Sequence, residues 1–238
     1  MVERKYLAHF ISTTFDITNG TQNYVRIGSY LEQYQEEMNP QVDVRQNILG
    51  EQFAIHNGYQ VSSSAEPFYI DITDGGRDKD LSDKLQDIAN GRLTGDECKT
   101  YRVDALFDTE GNCLWAYREE CLVVPQSVGG DTSGVQIPYQ VINVGNRASG
   151  VMTNSGGSWS YVAYSITVSP TTASITGTGT QSLTATTTPS GGTVSWKSSN
   201  TAVATVSSAG VVTGVTAGVA EIIASFKGMT AKCKVTVS

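Results

Sequence analysis

Residues 196–218 read WKSSNTAVATVSSAGVVTGVTAG, and this stretch decides the fold of the last third of the chain. It is rich in valine and threonine, and Ser208-Ala209-Gly210 interrupts it as a turn signal. Apolar residues recur with a period of two in four segments around it, at Leu183 and Ala185; Val194 and Trp196; Ala220, Ile222, Ala224 and Phe226; and Ala231, Cys233, Val235 and Val237. Many short strands around one tryptophan predict a small antiparallel β-sandwich.

This last third resembles the bacterial Ig-like domain of group 2 over roughly residues 164–238. The resemblance rests on six motifs: Ile166-Thr167-Val168-Ser169-Pro170, Trp196-Lys197-Ser198-Ser199-Asn200, Val203-Ala204-Thr205-Val206, Gly210-Val211-Val212-Thr213-Gly214-Val215, Ala217-Gly218 and Cys233-Lys234-Val235-Thr236-Val237. It implies that Trp196 fills the centre of the sandwich together with Val203 and Val206. It also implies that Gly210 and Gly214 turn a short hairpin and that Gly218 opens the next strand. The family occurs in bacterial adhesins and as an appendage of phage structural proteins, so it implies a fold and leaves the function open.

Charge divides the chain into two modules. The 238 residues carry a formal charge of −7, but residues from Ser165 onward hold four lysines and one glutamate, a net of +3. The remaining 12 cations and 22 anions give residues 1–164 a net charge of −10. Such an acidic module is a poor candidate for gripping nucleic acid, because that affinity comes mainly from neutralising phosphates.

The boundary is predicted where glycine and serine accumulate. Residues 149–160 read SGVMTNSGGSWS, a composition typical of a flexible connection. We therefore predict a first domain over residues 1–155, a linker over 156–163 and the Ig-like domain over 164–238.

The first module has the pattern of a mainly β domain with one helix. Residues 101–107 alternate with a period of two, residues 108–112 form a turn signal, and a return strand is predicted over 113–124. Further strands are predicted near residues 23–27, 68–72 and 135–144. Over residues 79–90, Leu81, Leu85 and Ile88 form one apolar helical stripe, and Gly91 suits the left-handed residue that follows a helix.

Residues 28–66 are polar and less regular. The turn signals Asn39-Pro40 and Asn57-Gly58 flank two extended pieces, residues 42–48 and 52–56, which together suit a long exposed hairpin. A long polar excursion from a compact domain is usually either functional or disordered. We favour an arm used in assembly, with candidate residues Glu36, Asn39, Pro40, Val42, Ile48, Leu49 and Gln52.

The first module resembles, more loosely, the major tail tube proteins of long-tailed phages. The resemblance rests on the order of several pieces: Asn39-Pro40-Gln41-Val42, Ile48-Leu49-Gly50-Glu51, Gly58-Tyr59-Gln60-Val61, the helix of residues 79–90, Val124-Pro125-Gln126-Ser127-Val128-Gly129-Gly130-Asp131 and the strand-turn-strand of residues 137–151. It implies a tail-tube-like β-sandwich or barrel with one helix, whose subunits form rings, usually hexameric, that stack into a tube. The implied partners are other copies, the tape measure protein, the tail tip and the terminator protein, and DNA passes through the lumen without specific binding.

No motif of the chain predicts an enzyme, a cofactor or a metal site. His9 and His56 are each isolated, and the cysteines Cys98, Cys113, Cys121 and Cys233 form no CxxC pair, so we expect reduced and mostly buried thiols. The neighbouring Glu119 and Glu120 point apart on one strand, and we expect both to be surface charge.

The expected location of the protein follows from its resemblance to the tail tube proteins. The first 15 residues lack the apolar core of a signal peptide, and no apolar run approaches the about 20 residues that a membrane span needs, so no membrane insertion is expected. A phage subunit needs no such signal, because it is made in the host cytoplasm and released in the virion by lysis. The alternatives are a surface adhesin or carbohydrate-binding protein, in which the Ig-like domain contacts host-surface glycans, and another virion component such as a capsid decoration protein.

Overall fold

The computed structural model describes residues 6–18, 21–27, 33–46, 52–66, 79–132 and 134–238. The chain divides into two compact units, Met1–Tyr161 and Val162–Ser238. Both are built from β-strands, which confirms the predicted mainly β class with a β-barrel in the first unit and an Ig-like fold in the second.

The first unit combines short strands with one α-helix, and a 3-10 turn, Gly95–Cys98, precedes its longest strand pair. The elements are β1 (Leu7–Ser12), β2 (Tyr24–Ile27), β3 (Gln33–Glu37), β4 (Pro40–Gln46), β5 (Gln52–Tyr59), β6 (Ser62–Glu66), α1 (Lys79–Gly91), β7 (Lys99–Phe107), β8 (Cys113–Pro125), β9 (Gly129–Asp131), β10 (Gly134–Gln136), β11 (Tyr139–Asn143), β12 (Ala148–Ser155) and β13 (Ser158–Ala163). The predicted strand near residues 68–72 lies outside the described residues.

A nine-stranded sheet of the first unit closes on itself at one end. Its strand order is β12-β13-β2-β1-β7-β8-β11-β6-β3, and β12 also pairs with β8. Strand β8 pairs with β7 along one side, and it is long enough to pair with two strands along the other. Ala116–Arg118 pair with β12, and Cys121–Pro125 pair with β11. Six strands therefore form a closed barrel, and β11, β6 and β3 extend from its wall.

The two faces of the barrel wall carry separate apolar cores. The interior contains side chains from every barrel strand, with Phe10, Val103 and Ala105 fully buried. The outer face carries the opposite set of alternating residues, including Cys121 and Val123, and packs against Leu81 and Leu85 of α1. The helix thus covers the barrel with the predicted stripe.

The helix ends one residue later than predicted, and its left-handed residue differs from the predicted one. Arg92, with φ +50°, takes that conformation in place of Gly91. The Leu93 amide then donates to the Ile88 carbonyl at 3.1 Å, which closes the last turn. Gly91 is suited to its position for another reason, because a Cβ there would lie 3.0 Å from the Leu93 side chain.

Two further segments differ from their predictions. The predicted linker carries β13, which pairs with β12 and with β2, and its glycines Gly156 and Gly157 turn the β12–β13 hairpin with φ +59° and +91°. The strand predicted over residues 135–144 is broken into β10 and β11, because Pro138 has no amide hydrogen to donate to a continuous ladder.

The second unit continues with β14 (Ser165–Ser169), β15 (Thr172–Ile175), β16 (Thr180–Ser182), β17 (Thr184–Thr188), β18 (Ser195–Ser198), β19 (Ala204–Val206), β20 (Val211–Gly214), β21 (Gly218–Phe226) and β22 (Met229–Val237). They form a four-stranded sheet, β15-β22-β21-β18, a three-stranded sheet, β16-β20-β19, and the pair β14-β17. Fully buried Ile222, Val212 and Val235 lie in its core, with Val203 buried at 9% exposure and Val206 packed beside it.

Trp196 does not fill the centre of this sandwich. It lies half-buried on β18, an edge strand, so its ring reaches only the margin of the core. Gly210 makes room for that ring, since a Cβ there would lie 2.9 Å from it, and φ +80° places Gly210 in the β19–β20 turn. Gly214 ends β20 outside the turn and packs against the Gly177 carbonyl, while Gly218 begins β21.

Candidate functional site

A β-ribbon leaves the wall of the barrel unit beyond the β3–β6 pair. Strands β3 and β6 belong to the nine-stranded sheet. Among the described strands, β4, which follows β3, and β5, which precedes β6, pair only with each other. The chain therefore runs out along β3 and β4 and returns along β5 and β6. We call the β4–β5 pair the hairpin arm.

Asn39 forms the joint between the sheet and the hairpin arm. Its φ of +39° turns the chain, a conformation that asparagine tolerates better than most residues. Its side-chain amide donates to the Gln60 carbonyl at 3.1 Å and to the Ser62 hydroxyl at 3.2 Å. The Gln60 amide in turn donates to the Asn39 carbonyl at 3.2 Å. These bonds fasten both strands at the root of the arm.

One face of the hairpin arm is mostly apolar from its root to the row of Val44, and Gln46 and Gln52 end it at the tip. Cross-strand partners share a face, and the register pairs Val42 with His56, Val44 with Ala54 and Pro40 with Tyr59. A bulge between Gln41 and Val42 gives the second strand one extra residue and brings Tyr59 onto the face of His56, with ring centroids 4.5 Å apart. Val42, Val44 and Tyr59 remain 54%, 62% and 56% exposed.

The opposite face of the arm is more polar. Asp43 and Arg45 form an ion pair at 2.7 Å there, and Ile55, the cross-strand partner of Asp43, is 40% exposed. An isolated two-stranded hairpin is only marginally stable in water. The apolar face therefore favours a partner that covers it.

The wall of the barrel unit also has one open edge. At one end of the sheet β12 closes onto β8, but at the other end no described strand pairs with the outer side of β3. An unpaired strand edge is a template for another chain. The hairpin arm continues directly from this strand, so both contact features lie on one continuous ribbon.

The predicted arm residues fall along this ribbon. Glu36 pairs with Ser63 in the sheet, Asn39 and Pro40 form the joint and the start of β4, Val42 lies on the apolar face, and Gln52 pairs with Gln46 near the tip. Ile48 and Leu49 lie outside the described residues. The sequence-based set omits Val44, Ala54, His56 and Tyr59. Val44, Ala54 and His56 follow from simple alternation along the two strands, whereas Tyr59 joins this face only because of the bulge.

A buried ionic network lies on the outer face of the barrel wall. Asp104 accepts hydrogen bonds from Arg102 and pairs with His9 Nδ1, each at 2.6 Å, and all three residues are less than 10% exposed. Arg102 also donates to the Ser63 hydroxyl at 3.2 Å and lies 3.7 Å from Glu119. The network thereby joins β1, β6, β7 and β8.

The network corrects two expectations. His9 is not isolated, and Glu119 is not surface charge: its side chain is 13% exposed, and its carboxylate accepts a hydrogen bond from the Asn143 side-chain amide at 2.6 Å. Burial alone would raise the pKa of Asp104, but the hydrogen bond from His9 and the charge of Arg102 outweigh it and lower that pKa. Paired and buried charges of this kind position strands, and they are closed to a substrate.

The remaining candidate features are the cysteines, clusters of metal-ligating side chains and membrane-spanning helices. The four cysteines are free, and burial raises the pKa of each thiol, to about 12 at Cys121, which disfavours a reactive thiolate. The described part of the chain contains no cluster of three His, Cys, Asp or Glu side chains that would hold a metal. No helix in the described ranges is long and apolar enough to cross a membrane.

An apolar groove lies between the end of α1 and strand β8. It encloses about 510 Å³, and its lining is mostly apolar, with Leu93, Leu122 and Val124 among the contributors. Arg92 and the Cys98 thiol are the ionisable groups that line it. The groove lacks converging acid and base groups, so it offers no geometry for proton transfer.

Comparison with known proteins identifies the fold of the second unit. Residues 162–237 match the family model of the bacterial Ig-like domain (group 2). The C-terminal unit is an Ig-like domain. The presence of this Ig-like domain is consistent with a surface or structural protein. A search of curated proteins finds no match to the chain.

Proposed function

We propose that this protein is a non-enzymatic virion subunit that polymerises as stacked rings into the tail tube of a long-tailed phage. The observation that carries the proposal is the uncovered apolar face of the hairpin arm, which continues from the open edge strand β3. Copies that cover this face and edge in a head-to-tail manner form a ring when the rotation closes.

The charge and domain arrangement support the same assembly. Residues 1–164 carry a net charge of −10, and an acidic lumen repels DNA phosphates and lets the genome pass without specific binding. The tape measure protein, the tail tip and the terminator protein are the partners of such a tube. The subunit is made in the host cytoplasm and ends in the virion, without a cofactor or membrane insertion.

The Ig-like domain has a separate role in this proposal. Its core is complete within residues 162–238, so it does not need neighbouring subunits for folding. We assign it to the outside of the tube, where it contacts host-surface glycans.

Electron microscopy of the purified chain tests the proposal through the hairpin arm. At high concentration the unmodified chain should form rings or tubes. A Val42→Ser/Val44→Ser variant should remain monomeric, because it removes apolar area from the face that neighbours cover. Both side chains are exposed in the monomer, so its folding should be unaffected.

Ile55→Ser is the matched control, since it makes the same kind of change on the opposite face of the arm. It should assemble like the unmodified chain. Failure of the unmodified chain to assemble at any concentration would remove the tube proposal. Normal tubes from the double valine variant would exclude the apolar face from the contact.

Hydrogen exchange adds a measurement of the arm itself. Amides of β4 and β5 should exchange rapidly in the monomer, where this pair has no other strand beside it, and slowly in tubes. Equal protection in both states would show that assembly does not order the arm.

A second candidate is a surface adhesin, which the match to the Ig-like family favours. An adhesin or a capsid decoration protein does not build tubes from purified chain. The same images therefore separate the candidates.

A further inference from the structure

All charged side chains of the Ig-like unit lie in one of its sheets or in a turn between two strands of that sheet. The unit has five such residues: Lys197, Glu221, Lys227, Lys232 and Lys234. Each belongs to β18, β21 or β22 or to the turn that joins the last two strands. The strands of the opposing layer, β14, β16, β17, β19 and β20, contain none.

The strand register gathers three of the lysines on the outer face of that sheet. Lys197 and Lys232 flank Ile223 directly from the two sides, and Lys234 is the cross-strand partner of Glu221 in the next row. These lysines are exposed, whereas the alternate residues Cys233 and Val235 are fully buried. We call Lys197, Lys232, Lys234, Ile223 and Glu221 the lysine face.

The lysine face retains uncompensated charge. Lys232 binds Glu221 at 2.9 Å, and both side chains are about half exposed, 56% and 49%. Across the part of the chain that the structure describes, Lys197 and Lys234 have no carboxylate within ion-pair distance. The net charge of the face is therefore +2, within a unit that is otherwise neutral apart from Lys227.

Edge protection accounts for only part of this placement, and solubility does not account for the rest. Lysines commonly guard the free edges of sheets, which suits Lys197 on the edge strand β18 and Lys232, which precedes the stretch of β22 that β15 covers, but Lys234 lies between Thr172 of β15 and Glu221 of β21. Solubility alone favours charges interspersed over the whole surface. The exposed residues of β17 on the opposing layer are the uncharged Thr184, Thr186 and Thr188.

We propose that the lysine face binds a linear anionic glycan, a sugar or polyol polymer with a phosphate or carboxylate in each repeat. Lysines two residues apart on a strand are separated by about 7 Å, and those flanking one strand by about 10 Å, distances that suit regularly spaced anions. Hydroxyl groups adjoin them on the same exposed face: Thr172 pairs with Lys234, and Thr230 and Thr236 alternate with the lysines along β22. These groups match the hydroxyls of a sugar chain.

The composition of the face favours a glycan over a nucleic acid. Proteins that hold single-stranded nucleic acid stack bases on aromatic side chains and use arginine. The Ig-like unit has no arginine, and its lysine face has no aromatic residue. The inference rests on the glycan contact included in the proposed function, and it names the surface and chemistry of that contact.

Biolayer interferometry with the full-length chain, kept dilute and unassembled, tests the inference. The immobilised probes are poly(glycerol phosphate), alginate, neutral dextran and a single-stranded oligonucleotide. Binding to at least one of the two anionic glycans is expected, and Lys232→Gln/Lys234→Gln should weaken it about tenfold. Raising the salt from about 0.05 M to about 0.5 M should release the chain, because screening shortens the reach of exposed charges.

A charge-relocated variant is the decisive control. Adding Thr184→Lys and Thr186→Lys to the double glutamine variant restores the net charge on the opposing layer, and this chain should bind as weakly as the double variant. Lys227→Asn, in the turn, should bind like the unmodified chain. A separate Lys197→Gln variant should weaken binding from the edge strand, which checks the face without altering β22.

Each outcome either supports or overturns the inference. Preference for phosphate or for carboxylate identifies the anion, and either supports the inference. Equal binding to dextran, stronger binding to the oligonucleotide, or full binding by the relocated variant would overturn it. Tube assembly is observed by microscopy and glycan binding by interferometry, so either proposal can fail alone.

Discussion

The two units of this chain distribute charge and apolar area in opposite ways. The barrel unit buries Arg102, Asp104 and His9 within its wall and exposes Val42, Val44 and Tyr59 on the hairpin arm. The Ig-like unit buries apolar side chains in its core and holds every charge on one outer sheet or its turn. Exposed apolar area of this kind is uncommon on a monomer unless it is an interaction site.

The two units also differ in how completely each covers its own apolar surface. The Ig-like unit completes its core with its own strands, and its surface carries few charges that are all on one side. The barrel unit has a closed, ionically cross-linked wall, but its ribbon ends in an uncovered face. These features fit the proposed assembly, in which the first unit would join copies and the second would be displayed.

Separating the units gives the largest expected effect. A fragment of residues 162–238 should fold and stay monomeric, because its core is self-contained. A fragment of residues 1–161 should retain concentration-dependent assembly, since it holds the arm and the open edge. Circular dichroism and sedimentation velocity measure both outcomes. An unfolded C-terminal fragment, or an N-terminal fragment that stays monomeric where the full chain assembles, would contradict this division.

Breaking the ionic network has the second-largest expected effect. Asp104→Ala leaves the Arg102 guanidinium, only 1% exposed, without its closest carboxylate. Removing one partner of such a buried pair costs about 3–5 kcal/mol of unfolding free energy. Calorimetry should show the loss in the transition of the barrel unit and no change in that of the Ig-like unit.

Asp43→Asn is the matched control, because it breaks the exposed Asp43–Arg45 pair of the same unit. Exposed pairs contribute only about 0.2–1 kcal/mol, so this transition should hardly move. If the two aspartate variants had equal effects, the network would not stabilise the wall.

A tight glycine contact tests the packing of the Ig-like unit. A Cβ on Gly214 would lie 2.2 Å from the Gly177 carbonyl oxygen, and backbone cannot yield cheaply. Gly214→Ala should therefore destabilise this unit by about 1–3 kcal/mol, the usual cost of overpacking. Gly129→Ala in the barrel unit is the control, since a Cβ there meets nothing within 4 Å. A stable Gly214 variant would show that β20 can shift away from residue 177.

Short-range features of this fold could be predicted from the sequence. The turn at residues 108–112 is an example: the Asp108 carboxylate accepts from the Glu110 and Asn112 amides, so neighbouring residues alone determine it. The stripe Leu81, Leu85 and Ile88 likewise predicted α1, because helical periodicity depends on local spacing. The Ig-like motifs predicted the second unit, which the family match supports.

Long-range pairings were beyond the sequence. Barrel closure requires Ala148–Gly150 to meet Ala116–Arg118, 30 to 34 residues away along the chain, and no local signal marks that pairing. The alternation of residues 101–107 predicted a strand, but it did not predict that the face carrying Arg102 and Asp104 is buried like the apolar face. On the arm, one bulged residue brings Tyr59 onto the face of His56, which alternation along β5 does not predict.

Lowering the pH should have the smallest expected effect: it should reduce the Tm of the barrel unit more than the Tm of the Ig-like unit. The folded pKa of Asp104 lies below its unfolded value, so ionisation of this carboxyl stabilises the barrel unit above the unfolded pKa. That contribution is lost as pH falls through the carboxyl range toward the folded pKa. The Ig-like unit contains one carboxylate side chain, Glu221, so protonation of carboxylates should change its stability little.

Between pH 7 and about pH 3, calorimetry should show a fall in the Tm of the barrel transition, about 2–4 °C per kcal/mol lost, with a smaller change in the Ig-like transition. Asp104→Asn should reduce the difference between the two. Parallel shifts of both transitions would show that the network does not link the stability of the barrel unit to pH.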